Sequence, residues 1–196
     1  GIDGCGKSTQ AKMLNQHFVD QGKDVIFSRE PGGSSGAEAI RGLLLTGNTD
    51  KWSAETELLL FTAARRDHLE RTILPALAAG KIVVSDRFAD STRVYQGAAR
   101  ADLRPMVDAL HALMIGHEPD LTLVIDLDAT TGLQRGLARQ SGEDRFEELG
   151  ADFQTRLRAG YRALAQEFPD RARLVDGSGT PEDVAARLWP LVAARL

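Results

Sequence analysis

The chain has 196 residues, 42% of them hydrophobic and 27% charged, enough for one well-packed domain. A formal net charge of −4 leaves no basic excess for coating nucleic acid. A single cysteine, Cys5, excludes a disulfide framework and a cysteine-built metal site and fits a reducing, cytoplasmic compartment. No apolar run approaches the roughly 20 residues needed to cross a bilayer, so no membrane partner is expected.

The opening stretch GIDGCGKSTQ (Gly1–Gln10) contains Gly, four residues, then Gly-Lys-Ser, the spacing of a phosphate-cradling loop. A helical pattern starts at Ser8 and runs beyond His17. Loops of this kind follow a strand, so a strand is expected upstream of residue 1. The β-branched run KDVIFSRE (Lys23–Glu30) predicts a strand. Residues Ser53 to Ala79 carry apolar positions at helical spacing and stop at Gly80, a C-cap signal. KIVVSDRF (Lys81–Phe88) and LTLVIDLD (Leu121–Asp128) predict buried strands, each apolar run ending in an aspartate, Asp86 and Asp126. Residues Ala138 to Gly150 are polar, charged and interrupted by Gly142, which predicts a mobile lid. ARLVDGSG (Ala172–Gly179) reads as a last strand. Thr180 as N-cap and Pro181 at the first position open a closing helix.

Apolar strands alternating with helices predict an α/β, three-layer sandwich of the P-loop NTPase type. It would have a parallel sheet, helices on both faces, and a single P-loop domain over residues 1–196. Ligands in such sheets bind beyond the C-terminal strand ends, where Asp86 and Asp126 fall. Gly1, Ile2, Asp3, Gly4, Cys5, Gly6, Lys7, Ser8 and Thr9 form the predicted nucleotide loop, with Cys5 as a small filler. Its glycines aim backbone N–H groups at phosphate oxygens, Lys7 reaches the transferring phosphates of a nucleoside triphosphate, and Ser8 offers a hydroxyl to Mg²⁺.

A phosphate loop alone suits a switch, a motor or a kinase. The stretches SREPGG (Ser28–Gly33), LLLFTAARRDH (Leu58–His68), DRFADSTRVYQG (Asp86–Gly97), PDLTLVIDLD (Pro119–Asp128) and GEDRFEE (Gly142–Glu148) follow the loop in that order. Together they resemble thymidylate kinase of the bacterial type with lid arginines, over nearly the whole chain. The resemblance implies ATP-dependent phosphorylation of thymidine monophosphate to the diphosphate in dTTP synthesis, with Mg²⁺, and a homodimer formed through packed helices such as Ser53–Ala79. It implies that Phe61 stacks on the thymine ring and that Arg65, one turn further along the same helix face, bonds a base carbonyl. Arg87 holds the acceptor phosphate with help from Arg29. Ser91, Thr92 and Gln96 line the base and sugar, and Tyr95 presses on the sugar where a ribose carries its 2′-hydroxyl.

Asp3 is the candidate contact to the acceptor sugar hydroxyl, and Asp86 the candidate Mg²⁺-organising carboxylate. One version of the family carries a cation after the acidic loop residue, where this chain has Gly4. Catalytic charge is then expected from the lid, from Arg139 first and Arg135 second, with Arg145 structural. Asp176 to Thr180 is a candidate adenine contact. His17, His68, His111 and His117 are read as surface or helix-end residues, and Trp52 and Trp189 as packing. Other readings are another nucleoside monophosphate kinase, a deoxynucleoside kinase, or a P-loop switch. Arg87 and Arg29 suit an acceptor that already carries phosphate. A switch leaves Phe61, Arg65 and Tyr95 without a common purpose.

Overall fold

The structure is a computed structural model that describes residues 1–100, 102–138 and 149–196. Four short strands, β1 (Val25–Ser28), β2 (Ile82–Ser85), β3 (Thr122–Asp126) and β4 (Ala172–Asp176), pair in parallel, β1 with β2 and β3 with β4. Side-chain alternation explains how the layers assemble. In the first pair Val25 lies opposite Ile82 and Phe27 opposite Val84. These four point to one face, onto Ala11 and Phe18 of α1 (Lys7–Asp20) and Trp189 and Val192 of α9 (Pro181–Ala193). Val83 points to the other face, onto Leu69, Ile73 and Ile115.

The largest core joins Val124, Ile125 and Val175 of β3 and β4 to α8 (Gly150–Glu167) through Phe153, Leu157, Tyr161 and Leu164. Ile2 and Cys5 of the opening loop are buried in that same cluster. Each fully buried aliphatic contributes about 1.5–3 kcal/mol relative to exposure, so the loop is anchored by its apolar members while its polar ones stay on the cleft side. The parallel strands flanked by helices on two faces match the predicted architecture.

The predicted Ser53–Ala79 helix forms, with one local change. It runs as α3 (Ala54–His68), a π turn (Leu69–Ile73) and α4 (Leu74–Ala78). Pro75 has no N–H to continue the ladder, and the Leu74 N–H bonds the carbonyl of Leu69, five residues back. The segments α2 (Ser35–Leu45), α5 (Ala89–Val94), a second π turn (Tyr95–Arg100), α6 (Arg104–Met114) and α7 (Ala129–Leu137) complete the described chain. Thr180 caps α9 through a reciprocal capping box with Asp183, as its position predicts. Of the predicted lid, residues 139–148 lie outside the described residues.

Candidate active site

The phosphate loop is shaped by two glycines. Gly4 and Gly6 hold φ of 72° and 97°, a region that side-chain-bearing residues rarely adopt. A Cβ on Gly4 would also strike the Gly132 carbonyl of α7, so the loop and that helix approach closely. Gly6 hands the chain directly into α1, whose first residue is Lys7. The Lys7 ammonium donates to the carbonyls of Gly1 at 3.0 Å and Ile2 at 2.7 Å, and lies 3.8 Å from Asp3. Burial, then the nearby Arg87 charge, lowers its pKa from the ordinary lysine value. The Ser8 hydroxyl donates to Asp86 Oδ2 at 2.7 Å.

Asp86 and Arg87 are adjacent in sequence but serve different partners, so they are not an ion pair with each other. Asp86 turns to Ser8 and accepts from the Glu30 N–H at 3.4 Å. Arg87 Nη2 instead donates to Asp3. The Tyr95 hydroxyl donates to the other Asp3 oxygen at 2.5 Å, and the Arg87 guanidinium carbon sits 5.2 Å from the Tyr95 ring centroid. Burial alone would raise the Asp3 pKa, but Arg87, Lys7 and the Tyr95 bond hold it well below the usual carboxylate range. Asp3 is therefore an anion at neutral pH. Burial pushes Tyr95 well above the usual phenol value, keeping it a neutral donor.

These groups open onto a cleft of about 520 Å³. Every residue read from the sequence as acceptor-binding lines it: Arg29, Phe61, Arg65, Arg87, Ser91, Thr92, Tyr95 and Gln96. Asp3, Gly4, Gly6, Lys7, Ser8, Thr9 and Asp86 line it as well. Gly1, Ile2 and Cys5 do not: Ile2 and Cys5 belong to the core and Gly1 supplies a carbonyl to Lys7. Phe27, Glu30, Pro31 and Arg41 also reach the cleft and were not singled out by sequence, although Glu30 and Pro31 lie inside the quoted SREPGG.

His68 departs from its expected setting. It is the last residue of α3, yet it is fully buried (0% exposed), with Nε2 2.6 Å from Ser28 Oγ and Nδ1 3.1 Å from Glu30. Arg29 forms an exposed ion pair with Glu38 at 2.9 Å. Arg139 and Arg145 lie outside the described residues. Arg135 lines a second cavity of about 580 Å³ with Asp126, Asp128, Arg158, Asp176 and Ser178, the last two from the candidate adenine segment.

One cleft thus joins the phosphate loop to a polar and aromatic pocket lined by Phe61, Arg65, Arg87 and Tyr95. That layout defines a P-loop nucleotide kinase. The sequence profile of thymidylate kinases matches residues 1–188. Thymidylate kinase of Ruegeria pomeroyi is 60% identical over 196 residues, covering 100% of this chain and 93% of the relative. That of Dinoroseobacter shibae is 65% identical over 186 residues, covering 95% of this chain and 90% of the relative. A crystal structure of thymidylate kinase from Ehrlichia chaffeensis superposes with a TM-score of 0.81 at 30% identity, covering 98% of this chain and 95% of the other. The chain belongs to the thymidylate kinase family. It is a nucleoside monophosphate kinase of nucleotide biosynthesis, moving a phosphoryl group from ATP to thymidine monophosphate to give the diphosphate.

Proposed function

We propose that the cleft divides this reaction between two residue sets. The observation that carries the reading is the shared lining of one cavity by Lys7 and Ser8 on one side and Phe61, Arg65, Arg87 and Tyr95 on the other. The loop N–H groups and Lys7 take the β- and γ-phosphates of ATP. Phe61 stacks on thymine, Arg65 donates to a base carbonyl, and Arg87 grips the acceptor phosphate with Arg29 nearby. Ser91, Thr92 and Gln96 complete the base and sugar contacts. The anionic Asp3, bridging Arg87 and Tyr95, orients both and stands ready for a sugar hydroxyl.

Ser8 and Asp86 supply hard oxygen donors 2.7 Å apart at the cleft edge, and that donor set fits Mg²⁺, which takes few protein ligands and completes its shell with phosphates and water. When bound, the ion neutralises charge on the transferring phosphoryl group. The acceptor phosphate oxygen is largely ionised near pH 7, so attack needs no separate base. Arg139 of the lid, with Arg135 second, supplies the cation absent at Gly4. The Asp176–Thr180 segment faces the donor base.

The protein works in the cytoplasm as a homodimer, without nucleic acid or membrane as partner. The single cysteine and negative charge support the first part, and no helix among the described residues is long and apolar enough to cross a membrane. Leu59 of α3 and Leu113 of α6 are 58% and 79% exposed on neighbouring helices, an apolar face suited to a second copy.

Steady-state kinetics separate the two sets. Lys7→Ala is expected to lower kcat by 10² or more in a folded protein, by removing a charge that acts on the transition state. Arg87→Ala is expected to raise KM for thymidine monophosphate at least tenfold while KM for ATP stays within about twofold. Near-normal kcat in Lys7→Ala, or a shift confined to ATP in Arg87→Ala, contradicts the division.

A further inference from the structure

Behind the cleft floor, Arg65 and Thr92 join a chain of buried polar side chains whose other members, Glu30, His68 and Ser28, have no role above. Arg65 is 5% exposed, and its Nε donates to Glu30 Oε2 at 2.8 Å. Its Nη2 donates to Thr92 Oγ1 at 3.1 Å, and its guanidinium carbon lies 5.3 Å from the Phe88 ring centroid. The second Glu30 oxygen is 3.1 Å from His68 Nδ1, and His68 Nε2 is 2.6 Å from Ser28 Oγ. A carboxylate only accepts, so His68 Nδ1 carries the proton it shares with Glu30, and Nε2 is left to pair with the Ser28 hydroxyl. The chain links the end of β1, through α3, to α5.

A buried polar chain of this length is costly to assemble, because each member loses hydration that its new bonds must replace. What it holds in place is the direction of one guanidinium. Two of its nitrogens are committed, to Glu30 and Thr92. Nη1 has no partner among the described residues, and Arg65 lines the cleft. Arginine has donors and no acceptor. A base with a carbonyl oxygen opposite Nη1 is bonded. A base with an amino group there sets donor against donor, with neither able to pair with the other. A guanidinium free to swing aside would tolerate either base. Rejection therefore depends on the side chain being held.

We propose that Glu30 and His68 are positioning residues for base selection, holding Arg65 so that the enzyme accepts a pyrimidine nucleotide with a carbonyl at that edge and rejects one with an amino group. The proposal rests on Arg65 reading the base.

The test compares kcat/KM for thymidine monophosphate and deoxycytidine monophosphate in the wild type, Arg65→Ala, Glu30→Gln, His68→Gln and Ser28→Ala. Arg65→Ala is expected to reduce the thymidine-to-cytidine ratio at least tenfold. Glu30→Gln and His68→Gln are expected to raise KM for thymidine monophosphate about tenfold and to reduce the ratio similarly. Their KM for ATP should stay within about twofold, and Glu30→Gln added to Arg65→Ala should lower the ratio no further. A purely structural role would lower thermal stability and leave the ratio alone. A wild-type ratio in Glu30→Gln and His68→Gln, with Arg65→Ala collapsed, overturns the positioning proposal and leaves the base reading intact. An unchanged ratio in Arg65→Ala overturns both. If the Glu30 and His68 variants do not fold, Ser28→Ala decides: it removes only the outermost hydroxyl and is expected to lower the ratio about threefold, an unchanged ratio being the contrary result.

Discussion

Tyr95 carries two separable duties in one side chain. Its hydroxyl donates to Asp3 at 2.5 Å, while its ring packs edge-on to Phe153 and Tyr161, with ring centroids 6.0 and 6.5 Å away, and lines the cleft. On the proposed reading the ring rejects a ribose 2′-hydroxyl, because a hydroxyl pressed against it clashes and loses its water without gaining a partner. Tyr95→Phe is expected to keep most of the preference for deoxy over ribo acceptors and to lower kcat modestly, as Asp3 loses a donor. Tyr95→Ala is expected to relax the preference and to cost about 3–5 kcal/mol of stability through the cavity it leaves. Turnover efficiency with thymidine monophosphate and its ribo counterpart, measured below each variant's melting temperature, distinguishes them. Equal preference in wild type and Tyr95→Ala would remove the ring from the selection.

At the scale of elements, short strands place chemistry at their C-terminal ends and helix starts complete it. β1 leads into Glu30, β2 leads into Asp86 and Arg87, and the start of α1 delivers Lys7 and Ser8 to the same cleft. The loop itself has no cation at Gly4, and the φ of 72° there, together with the Gly132 carbonyl, excludes a side chain without rearrangement. On the proposed reading the charge for the transition state comes from Arg139, which lies outside the described residues. Arg139→Ala is expected to lower kcat on the order of 10³-fold with little effect on KM for the acceptor. The same loss from Arg135→Ala alone would move the assignment to Arg135, and two unaffected variants would refute it.

Element scale also shows what was legible beforehand. The opening loop, the strands ending in Asp86 and Asp126 and the Thr180 cap follow from local signals: glycine spacing, apolar runs and an N-cap beside proline. The acceptor residues required the ordered combination of motifs, because Phe61 or Arg65 alone reads as an ordinary helix residue. The Glu30–His68 contact joins positions 38 apart in sequence and has no local signature. The π turn after His68 depends on how Pro75 breaks one ladder bond, which periodicity does not register.

For the whole molecule, the acceptor helix α5 is tied to its surroundings by an ion cluster away from the cleft. Arg93 bonds Asp90 at 2.8 Å, Asp108 at 3.0 Å and also Glu118, while Arg171 bonds Asp90 at 2.6 Å and lies 3.2 Å from Glu118. Burial alone would raise the Glu118 pKa, but bonds from His111 and Arg93 and the arginine charges hold it at about 2, against 4.5 for a free glutamate. A carboxyl with a depressed folded pKa binds protons more readily when unfolded. Its stabilisation is complete above about pH 4.5 and is lost as pH falls towards 2. Glu118 is partly in water, so screening reduces the contribution to roughly 1 kcal/mol. Glu118→Gln is expected to lower the melting temperature at pH 7 and to flatten its decline between pH 4.5 and 3. A decline parallel to the wild type would remove Glu118 from the acid response.

A panel of acceptors with ATP and Mg²⁺ tests most directly whether the cleft is shaped for thymidine monophosphate. The measurement is kcat/KM for thymidine monophosphate, deoxyuridine monophosphate, the ribo form of thymidine monophosphate, and adenosine and guanosine monophosphates. Thymidine monophosphate is predicted to be best. Deoxyuridine monophosphate should be poorer by about 1–3 kcal/mol, the worth of one methyl group in an apolar contact, and still detectable. The ribo form should be rejected more firmly, and both purine nucleotides should be near background. A preference for adenosine or guanosine monophosphate would contradict the assignment of Phe61, Arg65 and Tyr95 as a thymidine site.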